Sequence, residues 1–315
     1  MQSILHPAGP DAALIAEMAW LLFGGGTAIF VAVMWLLALA LRRRGRGAPA
    51  MVWILGGGIA FPVVVLSALL AFSTWRSAQL TPQTSLKALA VAVTGKMWWW
   101  EVRYADPAGG PDVVLANELH IPVGRPVYLA LSSSDVIHSF WVPALAGKMD
   151  MVPGRVNGLV LRAATPGVYR GQCAEYCGEQ HARMAFRVVA HSEADYAAWL
   201  ARERRPAAPL PEKRSDDATD SRSAQLLRGR DVFVAQRCGA CHTVRGLSET
   251  AALGPDLTHV GSRSHLGAGT LRNHADALAA WIADPQTIKR GARMPATRLG
   301  EADLHALTAY LEHLK

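Results

Sequence analysis

Two short stretches hold most of the residues able to do metal or redox chemistry. "GQCAEYCGEQHARM", Gly171 to Met184, places two cysteines, a histidine and a methionine within twelve residues. "CGACH", Cys238 to His242, sets two cysteines beside another histidine. These are all four cysteines of the chain. Outside the cytoplasm either pair could form a disulfide, but a disulfide has no use for the neighbouring histidines.

In the first stretch a Cys173–Cys177 disulfide leaves His181 and Met184 without a task. Zinc takes four ligands and rarely recruits a thioether, whereas thiolate, thioether and imidazole together favour copper. Upstream, "SSSDVIHSF" adds His138 at an expected strand edge. Two thiolates, two imidazoles, Met184 and a main-chain carbonyl exceed what one tetrahedral ion needs. They suit two copper ions bridged by both sulfurs.

The second stretch is the Cys-x-x-Cys-His pattern of covalent heme c attachment. Two thiols one turn apart bond the vinyl groups of one porphyrin edge, and His242 reaches the iron. A thioredoxin-like pair would want a βαβ setting, and this segment reads as helical. Met294, in "GARMPA", is the only methionine after His242. A thioether opposite imidazole raises the reduction potential and closes the iron to small ligands. His259, His265, His274, His305 and His313 are the other candidate ligands.

These stretches need elements to position them. Met18 to Leu41 and Val52 to Trp75 are each 24 residues without a charge, longer than the roughly 20 a membrane-crossing helix requires. "RRRGRG", Arg42 to Gly47, separates them, and nothing before Met18 is Lys or Arg. The positive-inside rule then puts the loop in the cytoplasm and both chain ends on the other side. "MQSILHPAGPDAAL" lacks the basic start and cleavage site of a signal peptide, so the first helix is expected to stay as an anchor. Four arginines of that loop account for much of the net charge of +7, so the charge reports topology and argues against nucleic-acid binding.

From Ser85 to about Ala190, short runs such as "KALAVAV", "RPVYLAL", "VNGLVLR" and "MAFRVVA" alternate with Gly, Pro and Asp punctuation. That pattern predicts an antiparallel sandwich or barrel. A helix capped by Ser192, with Asp195 three residues on, should run to about Arg204. Residues 205–223, rich in Pro and charge, read as a linker. Residues 224–315 carry helical patterning, with Leu304, Leu307, Leu311 and Leu314 on one face. So small a domain benefits from a covalent or metal staple.

"CGACHTV", "GPDLTHVGSR" and "ARMPA" resemble a class I cytochrome c. The resemblance implies that the Pro255 carbonyl accepts a hydrogen bond from the axial His242, and that Phe233 meets Tyr310 between the first and last helices. "GKMWWWEVRY", "SSSDVIHSFWVPALAGKMDMVPGR" and the cysteine loop, with the hairpin before them, resemble subunit II of heme–copper oxidases. That family has a dinuclear copper center, whose ligands fall here on His138, Cys173, the Glu175 carbonyl, Cys177, His181 and Met184. The likeness also implies a cupredoxin-like sandwich. It gives Glu175 a magnesium or manganese ion shared with subunit I, and makes Trp98 the residue where electrons arrive from cytochrome c. Trp99 and Trp100 are expected in core and interface.

A fused cytochrome marks the caa-type branch of cytochrome c oxidase. The implied partners are subunits I and III, an external cytochrome c and membrane lipid. The implied place is a bacterial plasma membrane with the redox domains on the periplasmic or outer side. Oxygen reduction and proton pumping would belong to subunit I. Where many relatives carry a glutamate at the start of the second membrane helix, "RGRGAPAMVWILGGG" has no acid.

Overall fold

A computed structural model describes residues 2–42, 49–80, 89–211, 221–249 and 253–315. Most of the expected basic loop (43–47), the start of the expected β unit (85–88) and about half of the expected linker (212–220) lie outside the described residues.

Helix α1 spans Pro10–Arg42 and α2 spans Ala50–Leu80; both are long and apolar enough to cross a membrane. Their large side chains, Trp20, Phe30, Trp35 and Leu70 among them, are exposed. In α2 the stretch Trp53–Ala60, "WILGGGIA", is π-helical. Pro62 follows it; a proline has no N–H for the preceding turn, and a widened turn accommodates the loss. Helix α1 begins earlier than its uncharged run because Pro10 suits a first helical turn. Just before it, Ala8 donates its N–H to the Ala144 carbonyl (2.7 Å) and accepts from the Ala164 N–H (2.7 Å). The N-terminal end of α1 is thereby fastened to the β domain.

That domain is a sandwich of two five-stranded sheets. One sheet holds β1 (Leu89–Lys96), β2 (Trp99–Tyr104), β3 (Val113–Ala116), β5 (Val127–Ser133) and β8 (Asn157–Leu161) in the order β3-β2-β1-β5-β8. The other holds β4 (Glu118–Pro122), β6 (His138–Trp141), β7 (Met149–Met151), β9 (Gly167–Cys173) and β10 (Ala185–His191) in the order β4-β10-β9-β6-β7. Alternate residues of β1 and β5 (Val91, Val93; Val127, Leu129, Leu131) are buried, as a half-buried strand requires. At the centre Trp100, fully buried, packs on Phe186 (ring centroids 4.9 Å apart) and Phe140 (6.0 Å). Truncating such a ring to alanine costs about 3–5 kcal/mol. Asn117 takes a left-handed turn (φ 62°) and its side chain accepts from the Trp100 N–H at 2.9 Å, fixing the β2 strand behind the metal loop.

Helix α3 (Glu193–Glu203) follows, with the Ser192 hydroxyl accepting from the Asp195 N–H. The C-terminal unit contains α4 (Ser221–Ala235), a small hairpin of β11 (His265–Leu266) and β12 (Leu271–Arg272), then α5 (Ala275–Ala283), α6 (Pro285–Ile288) and α7 (Glu301–His313). Helices α4 and α7 cross closely. A side chain at Gly229 would lie on the Ala306 carbonyl. Phe233 meets Tyr310 edge-on, 6.0 Å between centroids, beside Leu307, Leu311 and Leu314.

Candidate metal and heme sites

Strand register assembles the first site. Phe140 on β6 pairs with Cys173 on β9, and the Ala174 N–H donates to the Ser139 carbonyl (3.0 Å). Continuing that ladder sets His138 beside Glu175. On the other flank the Cys173 N–H donates to the Met184 carbonyl (3.0 Å), so the loop from 174 to 184 folds back between β9 and β10. A hairpin and the edge of one neighbouring strand thus collect every donor expected from the sequence.

The two sulfurs are 3.8 Å apart, well beyond the ~2.05 Å of a disulfide. The His138 Nδ1 is 3.9 Å from Cys173 Sγ, and His181 Nδ1 is 3.6 Å from Cys177 Sγ. Met184 Sδ is 3.8 Å from Cys177 Sγ, and the Glu175 carbonyl oxygen is 3.1 Å from Cys173 Sγ. His138, Cys173 and Cys177 are buried and form the one tight group of potential ligands among the described residues. Close approach of the sulfurs splits the pair: the hydrogen bond shared with Cys177 holds Cys173 far below the ordinary thiol value, while Cys177 is pushed up. Such a pair would lose its second proton readily only when a bound cation displaces it to solvent, and one histidine for each sulfur fits two soft metal ions better than one.

Asp135 was not singled out from the sequence, yet it orients the site. Its Oδ1 takes the His138 Nε2 at 2.8 Å, leaving Nδ1 for the metal side. Burial alone would raise the Asp135 carboxyl, but hydrogen bonds from His138, Met97 N and Val136 N hold it below its usual value. A signal existed, because the acid lies three residues before the histidine in "SDVIH". The Glu175 side chain points outward, half exposed, with Lys148 Nζ at 3.7 Å.

Trp98 is half-buried and donates its indole N–H to the Cys177 carbonyl at 2.8 Å. Trp99 stacks under the Lys96 ammonium, 4.9 Å from its ring centroid, and Trp100 lies in the core, as expected.

At the second site α4 stops at Ala235, and Arg237 turns left-handed (φ 54°). Cys238–Ala240 is therefore a single 3₁₀ turn, where the sequence reads as continued helix. Both thiols are half-buried and unbridged. His242 Nδ1 donates to the Pro255 carbonyl at 2.8 Å, which leaves Nε2 for a metal. Burial pushes the His242 imidazole down, favouring the neutral, ligating form. Gly254 is tight against the ring: an added Cβ would sit 2.6 Å from Cε1. A porphyrin tethered by two thiols, with iron at Nε2, fits these groups.

Met294 lies on a non-helical loop, partly buried against the domain core, with its carbonyl held by Gln286 Nε2 (3.2 Å). The alternative histidines all have other partners. His259 Nε2 bonds to the Arg205 carbonyl, His265 meets Arg187, and His274 caps α5. His305 pairs with Gln225, and His313 bonds to the Pro209 carbonyl.

Known proteins match in the same two pieces. Residues 111–191 match the family described as cytochrome c oxidase subunit II, periplasmic domain, and residues 226–315 match cytochrome c. Cytochrome c oxidase subunit 2 of Alkalihalophilus pseudofirmus is 39% identical over 235 residues, covering 74% of this chain and 64% of that protein. The Bacillus subtilis protein of that name is 31% identical, covering 72% of this chain. The matches thus span a little under two thirds of these two relatives, 64% and 63%. The solved periplasmic domain of subunit II of cytochrome oxidase from Bradyrhizobium japonicum is 30% identical, covering 39% of this chain and 97% of that one, with a TM-score of 0.35. A probable cytochrome c oxidase subunit 2 of Rickettsia bellii is 31% identical, with 63% of this chain aligned to 79% of that protein. With its two modules in this order and a relative matched over most of its length, the chain belongs to the cytochrome c oxidase subunit 2 family.

Proposed function

We propose that this chain is the electron-accepting subunit of a caa-type cytochrome c oxidase. An external cytochrome c would be its donor, and subunit I, with subunit III beside it, would reduce oxygen to water and pump protons. Heme c on Cys238, Cys241, His242 and Met294, and two copper ions on His138, Cys173, the Glu175 carbonyl, Cys177, His181 and Met184, would supply the one-electron chemistry.

The residues have definite tasks in this reading. Asp135 and Pro255 hold one imidazole each in the tautomer that faces a metal. Burial of Cys173, Cys177 and Met184 keeps water from the sulfurs, and the low local dielectric favours a delocalised charge. Trp98 links the Cys177 main chain to the cytochrome domain. The exposed Glu175 carboxylate offers hard oxygen to a magnesium or manganese ion at the boundary with subunit I. Helices α1 and α2 anchor the chain in lipid. The bonds from Ala8 to the sandwich support placing the N-terminus and both redox domains on one side, periplasmic in a bacterium with an outer membrane.

The observation that carries the proposal is the six-donor cluster between β6, β9 and β10. Metal analysis of the full chain in detergent tests it, together with low-temperature paramagnetic resonance. Two coppers and one iron per chain, with one unpaired electron shared over both copper nuclei, are expected. A single copper or zinc with a localised signal would refute the dinuclear site.

A further inference from the structure

Lys289 is only 3% exposed and is the one buried lysine among the described residues. It sits just after α6, five residues before Met294. Its Nζ donates to three main-chain carbonyls: Trp98 (2.7 Å) and Arg183 (2.9 Å) on the β domain, and Gly267 (3.0 Å) on its own. An ammonium has three protons, and all three are matched.

Neighbouring contacts continue the seam. Arg183 Nη1 donates to the Ile288 carbonyl at 2.5 Å, and the Ala185 N–H donates to the Ala268 carbonyl at 3.1 Å. Glu118, buried, accepts from the Ser264 N–H (2.8 Å) and from its hydroxyl. The Trp98 ring is flanked from both sides. An added Cβ at Gly178 of the metal loop would lie 3.2 Å from Trp98 Cζ2, and one at Gly291 of the cytochrome loop 3.2 Å from Cζ3.

We propose that Lys289 is a positioning residue that locks the cytochrome domain onto the β domain at Trp98. The tethered domain thereby occupies the surface that a separate donor would need. A buried ammonium tolerates only the register in which its three acceptors converge, so it selects one pose and does more than add adhesion. The loop bearing Met294 is then held against the residue that touches Cys177. The redox consequence rests on the function proposed above; the docking itself does not.

Amide hydrogen exchange on the full chain, with heme and copper content measured first, tests this. The Ala185 and Ser264 amides are protected only through bonds between the domains. In the wild type both should be protected; free exchange of both there would overturn the docked pose, whatever the metals do. Lys289→Met keeps the apolar stem and removes the donors. It should speed exchange at both amides about ten- to a hundred-fold, as expected for losing hydrogen bonds to a charged group, with α7 amides unchanged. It should also slow heme-to-copper electron transfer at least about ten-fold. Unchanged protection of Ala185 and Ser264 in the variant would overturn the role of Lys289. Normal docking in a chain lacking dinuclear copper would instead refute only the proposed function.

Discussion

The two metal-binding regions are built in opposite ways. The copper loop takes His138 from β6, Cys173 from β9 and its other donors from the loop between β9 and β10, all backed by a large sandwich core closed around Trp100. The heme segment takes three groups from five consecutive residues, held in one short turn of a domain with a much smaller core. One site rests on a large closed core, the other on a single short turn in a small one. This contrast predicts that removing each group should have different consequences.

The largest effect should follow replacement of both heme thiols, Cys238→Ser with Cys241→Ser. Without the tethered porphyrin, α4, α5 and α7 should lose amide protection while β1, β5 and β8 keep theirs, because a small domain depends on its staple. A protected α7 in the heme-free chain would erase the distinction. Cys173→Ser should be milder for the fold, costing about 1–3 kcal/mol, but should abolish copper binding with the heme absorption intact. Loss of the heme as well would mean that the two domains fold as one unit.

Met294→Ala comes next. The cytochrome domain should keep its heme, since two thiols and His242 remain, but the potential should fall and the iron should bind carbon monoxide. An unchanged spectrum without carbon monoxide binding would move the ligand to a histidine, although each candidate already has a partner. Asp135→Asn probes the other region. Because Asp135 orients His138 and is not itself a ligand, copper should still bind, about 10- to 100-fold more weakly in competition with a chelator.

Legibility in the sequence follows the same division. Cys238, Cys241 and His242 are readable because their chemistry is contiguous. Cys173, Cys177, His181 and Met184 are nearly so, being set by one hairpin. His138 is 35 residues from Cys173, and only its polar strand-edge setting and the donor count point to it. The Ser192 cap with Asp195 is likewise local and appears where the spacing predicts. Lys289 could not be found this way. It is an unremarkable basic residue until α6 ends against Trp98, and no local pattern encodes a contact between residues 191 positions apart. The 3₁₀ turn at Cys238 was also hidden, because a non-glycine residue such as Arg237 seldom turns left-handed.

The smallest predicted effect concerns the seam that joins the two regions. Glu118 is buried at it. Burial alone would raise its carboxyl, but hydrogen bonds from His120 and from the Ser264 hydroxyl and N–H hold it below the usual glutamate value. A carboxyl depressed on folding stabilises the ionised, bonded state. Its contribution is full above the ordinary value of about 4.3 and disappears as pH falls through the lower folded value. The Glu118 contribution should therefore be constant from pH 5 to 6, below the range in which the buried Lys289 amine, pulled down to about 7, titrates, with the Ser264 protection factor, corrected for intrinsic exchange, falling below about pH 4. Glu118→Gln keeps an acceptor but loses the charge, so protection at pH 7 should drop by about five-fold, the equivalent of about 1 kcal/mol. Unchanged Ser264 protection at pH 7 in Glu118→Gln would instead show that the charge of Glu118 does not hold the seam.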